Sequence, residues 1–284
     1  MTRFLILVPA PEYPEAWGWS YDATAAALVA AGAEIETRPW TEHGGITQFD
    51  LVLPLLVWGY NRRYAEWLAL LDRMEAERWP VINPPAVLRW NSDKIYLNEL
   101  EAAGVPTVAT RVAEALGEGD LAAARAAFGC DILVIKPPVS AAADGTFKLA
   151  PGEAIPDSVR GQRMLIQPWL AAVASDGEYS LIFFAGAYSH AVVKRPRPGD
   201  FRVQPHLGGS EVKCLPPPGS KELARAALAA APAVPAYARV DMLADDSGAL
   251  RIIELELIEP SLWIEHAPDQ GAAFAAAIMA AVGA

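Results

Sequence analysis

The chain contains 284 residues, which is more than one hydrophobic core usually accommodates, so we expect several lobes. Hydrophobic residues make up 53% of the sequence, which is typical of a folded protein and excludes a disordered one. The formal net charge of -11 argues against nucleic acid as a partner, because phosphate backbones would be repelled. The longest apolar run, residues 51–58, is too short to cross a membrane, which predicts a cytoplasmic protein without a membrane partner. Cys130 and Cys214 lie far apart in sequence, so neither a disulfide framework nor thiol chemistry is expected.

Residues 4–83 alternate between apolar strands and helices. Strands are predicted at 4–8, 34–37, 50–54 and 80–83, and helices at 22–31 and 62–76. Because this alternation is typical of βαβ units, it predicts a parallel sheet.

A second group of elements begins with a helix predicted at 92–103 and ended by Gly104. It continues with an extended segment at 105–110, a helix at 120–128, and strands at 132–136 and 147–149. The intervening residues, 137–146, are rich in Ser, Ala, Asp and Gly and are predicted to form a loop. The strand at 132–136 therefore delivers Lys136 to the start of that loop.

The last part of the chain is predicted to be mainly antiparallel. Strands are expected at 164–167, 178–184, 188–194, 237–243 and 250–257, and helices at 221–230 and 268–282. Gly186 lies near the tip of one hairpin, and Asp246-Ser247-Gly248 forms the turn of another. A long Pro- and Gly-rich excursion, residues 195–220, separates them.

Three carboxylates interrupt the apolar pattern of the last hairpin. Glu254 and Glu256 point to one face of their strand, because side chains alternate, and the hairpin brings Asp241 beside them. Burying such charges without partners would be costly, and oxygen ligands of this kind suit Mg²⁺. The alternative is that the glutamates lie on the solvated face of an amphipathic strand, and the spacing alone does not decide.

Two lysines lie in settings that suit a phosphate group. Lys136 ends a buried strand just before a small-residue loop, where its charge and the loop amides can bind phosphate oxygens. Lys94 lies in Asn91-Ser92-Asp93-Lys94. Either lysine, taken alone, is more often a surface residue whose stem packs on the protein. The sequence contains neither a P-loop nor a dinucleotide-binding glycine motif, so a nucleotide would require another phosphate-binding scheme.

The order of these features along the whole chain resembles the ATP-grasp superfamily. The series consists of Asp93-Lys94, Val134-Ile135-Lys136-Pro137, Gln167-Pro168-Trp169-Leu170, Gly177-Glu178, Asp241 and Glu254-Leu255-Glu256. The resemblance implies an α/β fold that becomes α+β in the C-terminal part, with ATP clasped between two lobes. It divides the chain into an N-terminal α/β domain at 1–91, a central lobe at 92–169, and a C-terminal lobe at 170–284 that carries the metal and acceptor sites.

The resemblance also implies roles for individual residues around ATP. Lys94 and Lys136 would contact the phosphates, and residues 140–145, beginning with Ser140, would form a flexible loop over them. Adenine would be held by Gln167, Trp169 and Leu170, and the ribose hydroxyls by Glu178. One or two Mg²⁺ ions, for which Mn²⁺ could substitute, would be held by Asp241, Glu254 and Glu256. Glutathione synthetases have Glu-x-Asn where this chain has Glu254-x-Glu256, which leaves the number of metal ions open.

The acceptor side is similar to a narrower group. Residues 190–196, 199–202 and the pair Gly208-Gly209 resemble the acceptor loop of prokaryotic glutathione synthetases. Residues 83–91 and 254–260 are most similar to the O-ureidoserine cyclo-ligase type. These resemblances imply substrate contacts by Arg195, Arg202, His206, Gly208 and Gly209, with Arg202 and Lys136 as catalytic cations. For His206 the alternative is an ordinary loop residue.

Two further substrate residues are predicted from their position. Tyr60 and Arg62 follow the third strand, at the end where open α/β sheets usually place ligands. The alternative is that this segment merely packs in the core and begins a helix.

The implied activity is that of an ADP-forming ligase, which activates a small amino-acid-like carboxylate as an acyl phosphate for attack by a nitrogen nucleophile. An intramolecular attack would make it a cyclo-ligase. Three alternatives use the same nucleotide residues: a glutathione synthetase-like peptide ligase, a kinase that phosphorylates a small molecule, and a non-catalytic nucleotide-binding module. Arginines suited to a carboxylate favour the ligase, and the presence of both lysines and all three carboxylates disfavours the module. Family members often form dimers or tetramers, which leaves the oligomeric state of this chain open.

Overall fold

The computed structural model describes residues 2–42 and 44–283. The first lobe consists of β1 (Thr2–Val8), α1 (Gly18–Ala30), β2 (Ala33–Pro39), β3 (Leu51–Leu53), α2 (Tyr64–Ala76) and α3 (Pro85–Ser92). Its strands form a parallel sheet in the order β2-β1-β3, as the alternation of strands and helices predicts. The central strand is buried on both faces, since Phe4 and Ile6 pack into one apolar cluster while Leu5 and Leu7 pack into another.

Two predictions in this region differ from the structure. The helix expected at 92–103 is the shorter α4 (Tyr96–Ala102), because α3 ends at Ser92 and the backbone is extended at Asp93. The helix α3 itself is absent from the predictions, although Pro85 at its start is a residue that favours a first helical turn. The strand expected at 80–83 is a single parallel bridge between Val81 and Val52.

Apart from its first strand, which the sequence did not indicate, the central lobe follows the predicted elements closely. It contains β4 (Arg111–Ala113), α5 (Glu118–Phe128), β5 (Leu133–Lys136), β6 (Phe147–Leu149) and β7 (Met164–Pro168). The strands form an antiparallel sheet in the order β4-β7-β5-β6, and its apolar side chains form a core of their own with α5. The last residue of β5 is Lys136, so the strand places this lysine at the edge of the lobe.

The C-terminal lobe is built on a second antiparallel sheet. Its elements are α6 (Ala172–Ser175), β8 (Glu178–Phe184), β9 (Ala187–Arg195), β10 (Ser210–Cys214), α7 (Ser220–Ala229), β11 (Tyr237–Ala244), β12 (Leu250–Glu256) and α8 (Ala272–Ala280). The strand order is β10-β9-β8-β11-β12. The sequence did not indicate β10, which is a mostly exposed edge strand inside the predicted excursion.

The first and C-terminal lobes share an apolar core, whereas the central lobe has a core of its own. The β1 side chains Phe4 and Ile6 lie in one cluster with Phe274 and Ile278 of α8. The segment after α3 also belongs with the C-terminal sheet, because Tyr96 and its neighbours pack against β11 and β12, and Val108 N donates to Ile252 O over 2.9 Å. The lobe boundaries predicted from the sequence stay a prediction, but the central sheet itself begins only at β4. No helix in the described part of the chain is both long and apolar enough to span a bilayer.

Candidate active site

A cavity of about 590 Å³ lies where the three lobes meet. Its lining combines Lys94, Lys136, Glu178 and the inward-facing residues at the ends of β11 and β12. The loop between β3 and α2 closes one end and the 168–170 segment after β7 closes the other. Cavities of this size between lobes are the usual sites for small molecules.

The two predicted lysines both line this cavity but lie in different environments. Lys94 Nζ donates to Ser140 O and lies 3.3 Å from Ser140 Oγ and 3.2 Å from Glu254 Oε1. Lys136 is 7% exposed and, within the described residues, its ammonium group has no hydrogen bond or ion pair. Burial lowers the pKa of Lys136, although Glu254 opposes the shift. A buried cation without a partner is costly, so the cavity is prepared for an anion at this point.

The predicted carboxylates are brought together by the strand register. Asp241 pairs directly with Glu254 across β11 and β12, and Arg239 pairs with Glu256. Each carboxylate is bound by a cation in this structure: Asp241 Oδ2 lies 2.9 Å from both Lys194 Nζ and Arg239, and Arg239 also contacts Glu256. The solvated-face alternative for the two glutamates is therefore wrong, because Glu254 and Glu256 line the cavity beside Lys94 and Arg239.

Burial and charge act in opposite directions on these carboxyl groups. Burial opposes ionisation of Asp241, but the adjacent Arg239 and Lys194 outweigh it and hold its pKa well below the usual range. Burial raises the pKa of Glu256 to about 8, with Glu254 adding to the effect and Arg239 opposing it. Burial likewise raises the pKa of Glu178, whose carboxylate lies 2.5 Å from Lys194 Nζ.

The carboxylates fit a hard cation by the chemistry of their oxygen donors. Their oxygens are the donors that Mg²⁺ prefers, and Asp241 and Glu254 lie side by side at the cavity. Within the described residues, no three His, Cys, Asp or Glu side chains converge closely enough to hold a metal ion, since their oxygens face Arg239, Lys194 and Lys94. A metal-bound arrangement would therefore exchange part of this ion pairing for metal ligation.

The residues predicted to hold the nucleotide base lie together at one end of the cavity. Gln167, Trp169, Leu170 and Glu178 all line it, as does Ser140 from the 137–146 loop. Leu170 belongs to an apolar cluster with Val108, Val173, Val203 and Leu243. This cluster offers an apolar surface against which a planar ring can pack. Gln167 is held in place because its Nε2 donates to Thr110 Oγ1 over 2.9 Å.

The predicted substrate residues divide into two groups. Tyr60, Arg62, Arg202 and His206 line the cavity, with Tyr60 buried and Arg62 exposed at the mouth. Arg202 binds Asp200 over 2.9 Å, so its guanidinium is held by its own loop.

The second group of predicted substrate residues lies outside the cavity wall. Arg195, Gly208 and Gly209 are absent from the lining of the cavity in the described structure. The glycines have a local reason: a Cβ on Gly209 would lie 2.0 Å from Val203 O, and Gly208 has a φ of +89°. They allow the loop to turn sharply before β10, which is a structural role.

Several cavity residues were not singled out from the sequence. Arg239 and Lys194 bind the central carboxylates, Glu259 lies beyond the end of β12, and Trp58 and Trp263 line the substrate end. One signal for Arg239 was available, because it lies two residues before Asp241 and therefore on the same face of the strand. Lys194 and Glu259 could be located only from the register and the path of the chain.

Comparisons with known proteins agree on one group. Residues 5–83 match the family model described as D-cycloserine synthetase DcsG, N-terminal domain. The cycloserine biosynthesis protein DcsG of Streptomyces lavendulae is 31% identical over 273 residues, covering 87% of this chain and 88% of that protein.

The crystal structure of D-cycloserine synthetase DcsG is 26% identical and superimposes with a TM-score of 0.83 over 99% of both chains. D-alanine–D-alanine ligase from Bacillus anthracis, 16% identical, covers 99% of this chain and 97% of its own with a TM-score of 0.71. The structure of the ATP-grasp ligase PsnB with a minimal precursor is 17% identical, with a TM-score of 0.65 over 98% of this chain and 99% of the other. The chain belongs to the ATP-grasp ligases of the cycloserine synthetase type and is an ATP-dependent, ADP-forming enzyme.

Proposed function

We propose that this enzyme converts a small amino-acid-like carboxylate into an acyl phosphate, which a nitrogen of the same molecule then attacks to close a ring. The similarity to a protein of cycloserine biosynthesis supports an intramolecular reaction. The observation that carries the proposal is the buried Lys136, whose ammonium group lacks a protein partner among the described residues and faces the cavity. An ATP phosphate is an anion of the kind that this cation requires.

The proposed roles are assigned to residues that line the cavity. Lys94 and Lys136 hold the phosphates under the loop that starts at Ser140. Gln167, Trp169 and Leu170 contact adenine, and Glu178 contacts the ribose hydroxyls.

The carboxylates Asp241, Glu254 and Glu256 hold one or two Mg²⁺ ions. Bound there, Mg²⁺ would offset the negative charge that spreads over the transferring phosphoryl group.

Two arginines are proposed to act on the activated carboxylate. Arg239 lines the cavity and is buried, 5.3 Å from the centroid of the Trp263 ring. Arg202 reaches the wall from the loop after β9. Both guanidinium groups stay charged, so they can stabilise the negative oxygen of the tetrahedral adduct that forms when nitrogen attacks. Tyr60, Arg62 and His206 are proposed to contact the rest of the substrate.

The test is to incubate the protein with Mg-ATP and a panel of O-ureidoserine, single amino acids and small peptides. ADP and free phosphate are expected together with a dehydrated or amide-linked product, identified by mass. ADP with a stable phosphorylated product would assign a kinase instead.

Two lysine substitutions, one in the cavity and one outside it, test the role of Lys136. Lys136→Ala is expected to lower kcat by about 10² to 10³ fold, as expected for loss of a charge that stabilises the transition state. Lys213→Ala removes an exposed lysine of β10 and is expected to leave turnover unchanged.

A further inference from the structure

Glu259 differs from the other acidic residues that line the cavity. Six of them have a cationic or N–H side-chain partner: Glu15, Glu178, Glu211, Asp241, Glu254 and Glu256. Within the described residues, the carboxylate of Glu259 is bound only by its own backbone amide. It therefore remains available to a ligand in the cavity.

The main chain at Glu259 is fixed from two sides. Trp58 Nε1 donates to Glu259 O over 3.3 Å, and the Tyr237 hydroxyl donates to Ile258 O over 2.8 Å. Both contacts hold the backbone and leave the carboxylate free, so the side chain projects from a rigid support. This support lies at the substrate end of the cavity, where Trp58, Tyr60 and Trp263 also line the wall.

Other ionisable groups surround this carboxyl group. Lys94 and Arg239 favour its ionisation and Glu254 opposes it, while Glu256 is a further acidic neighbour. The phenols of Tyr13, Tyr60 and Tyr237 also lie close enough for Glu259 to raise their pKa values, with burial as the larger cause. Burial raises the pKa of Glu259 to about 7, although its own backbone amide and the charges of Lys94 and Arg239 oppose the shift. The group can therefore exchange a proton near neutral pH.

We propose that Glu259 is the base that removes a proton from the attacking nitrogen. The inference rests on the proposed function, since it requires an acyl phosphate in the cavity. As the nitrogen lone pair forms the C–N bond, the carbonyl becomes a tetrahedral oxyanion. The C–O bond to phosphate then breaks, the phosphate leaves with the bonding electrons, and one N–H proton passes to the Glu259 carboxylate. Atoms and charge balance without any further reactant.

The other cavity carboxylates are poorly suited to this task. Asp241 is held ionised by Arg239 and Lys194, and a carboxylate with such a low pKa is a weak base. Glu178 and Glu254 are each bound to a lysine. A base works best when its pKa lies near the working pH and its lone pair is free, and Glu259 alone among the described acidic residues of the wall meets the second condition.

The experiment separates activation of the carboxylate from attack by nitrogen. Wild-type protein, Glu259→Gln and Glu265→Gln are given Mg-ATP and O-ureidoserine, with and without hydroxylamine. Hydroxylamine is a strong nucleophile of low basicity that traps acyl phosphates as hydroxamates with little need for a base. Glu265 is an exposed residue of the same segment and serves as the matched control.

Glu259→Gln is expected to form hydroxamate within threefold of the wild-type rate but to form the cyclised product about 10² fold or more slowly. The wild-type kcat for cyclisation is expected to fall as the pH drops below about 7, and the variant to lack this fall. Glu265→Gln is expected to match the wild type in every assay. Glu259→Asp, which retains a carboxylate, is expected to cyclise more slowly than the wild type but to keep the fall of kcat at low pH. It replaces Glu259→Gln in the comparison if that variant is unfolded.

Three results would overturn the inference. Cyclisation by Glu259→Gln within threefold of the wild type would show that no base is lost. Parallel loss of hydroxamate and product would place Glu259 in nucleotide or carboxylate binding. Absence of hydroxamate with the wild-type protein would instead contradict the proposed function, and the role of Glu259 would fall with it.

Discussion

Phe201 packs edge-on against Trp169, with ring centroids 5.7 Å apart and planes at 89°. Phe201 lies in the loop after β9, and Trp169 lies in the segment proposed to contact adenine. Next to this pair, Val203 is buried in the same apolar cluster as Leu170. The loop proposed to face the acceptor therefore shares its packing with the proposed adenine site, and the binding of one substrate should influence the other.

Replacing Phe201 by Ala tests this connection. The variant is expected to raise the KM for both ATP and the acceptor by about 3 to 10 fold, which corresponds to the interaction energy of one aromatic pair. Initial rates over a grid of both substrate concentrations provide the measurement, and Phe201→Leu, which retains apolar packing, should change both less. A rise confined to the acceptor KM would show that the ring contact does not couple the two sites.

Lys136 is expected to reduce the stability of the protein in the absence of ATP. Burial lowers its pKa below the 10.5 of an exposed lysine, so the unfolded chain binds more protons and stability rises with pH between these two pKa values. At pH 7 Lys136→Met should therefore raise the free energy of unfolding by about 1 kcal/mol. Urea unfolding at pH 7 and pH 10 measures this gain, which should shrink at the higher pH. Lys213→Met is the exposed control, and a loss of stability at pH 7 would contradict the prediction.

Much of the fold was predictable from the sequence because the local signals agree with the tertiary structure. The strand at Glu178–Phe184 and the register that pairs Asp241 with Glu254 follow from alternation and turn residues. The failures have local causes. The consecutive prolines at 84 and 85 obscure the start of α3, because proline usually interrupts regular structure but also suits a first helical turn, and the edge strand β10 buries too little to show a pattern.

The candidate site was predictable only in part. The lysines and carboxylates form an ordered series along the chain, whereas Lys194 and Glu259 become site residues through contacts between distant segments. Lys194 is 47 residues from Asp241 in sequence but 2.9 Å away in space. The position of Arg195 shows the converse: it is next to Lys194 in sequence, but the alternation of the strand turns it outward.

Arg239 is expected to stabilise the fold through its two buried ion pairs. Its guanidinium is buried between Asp241 and Glu256, so Arg239→Met leaves two carboxylates without this partner and should cost about 3 to 5 kcal/mol of unfolding free energy. Adding Glu256→Gln should recover about 1 to 2 kcal/mol, because it removes a carboxyl group whose charged form is disfavoured by burial.

A double-mutant cycle measured by urea unfolding tests this prediction. Arg160→Met is the control, since Arg160 binds Glu118 over 3.5 Å in an exposed pair and should change stability by less than about 0.5 kcal/mol. Strict additivity of Arg239→Met and Glu256→Gln would contradict the coupling.

The side chain of Asn91 forms hydrogen bonds to the backbone at the end of β12, as a neighbouring strand would. Its Nδ2 donates to Leu255 O over 2.9 Å, and its Oδ1 accepts from Leu257 N over 2.8 Å. Asn83 binds the same sheet in a similar way, since its Nδ2 donates to Tyr237 O and Leu257 O and its Oδ1 accepts from Ala236 N. The segment 83–91, which carries part of the resemblance to the cyclo-ligase type, thus fastens the first lobe to the strand that bears Glu254 and Glu256.

Asn91→Asp keeps the acceptor but replaces the donor with an oxygen that faces Leu255 O. The substitution should cost about 2 to 4 kcal/mol at pH 7, because a charge is buried against a carbonyl oxygen and a hydrogen bond is lost. Gln162→Glu makes the same chemical change at an exposed amide and should cost less than about 0.5 kcal/mol. Urea unfolding at pH 7 and pH 5 distinguishes the cause: the introduced carboxyl can donate once protonated, so the deficit should shrink at pH 5. An equal deficit at both pH values would indicate a steric effect instead of the lost donor.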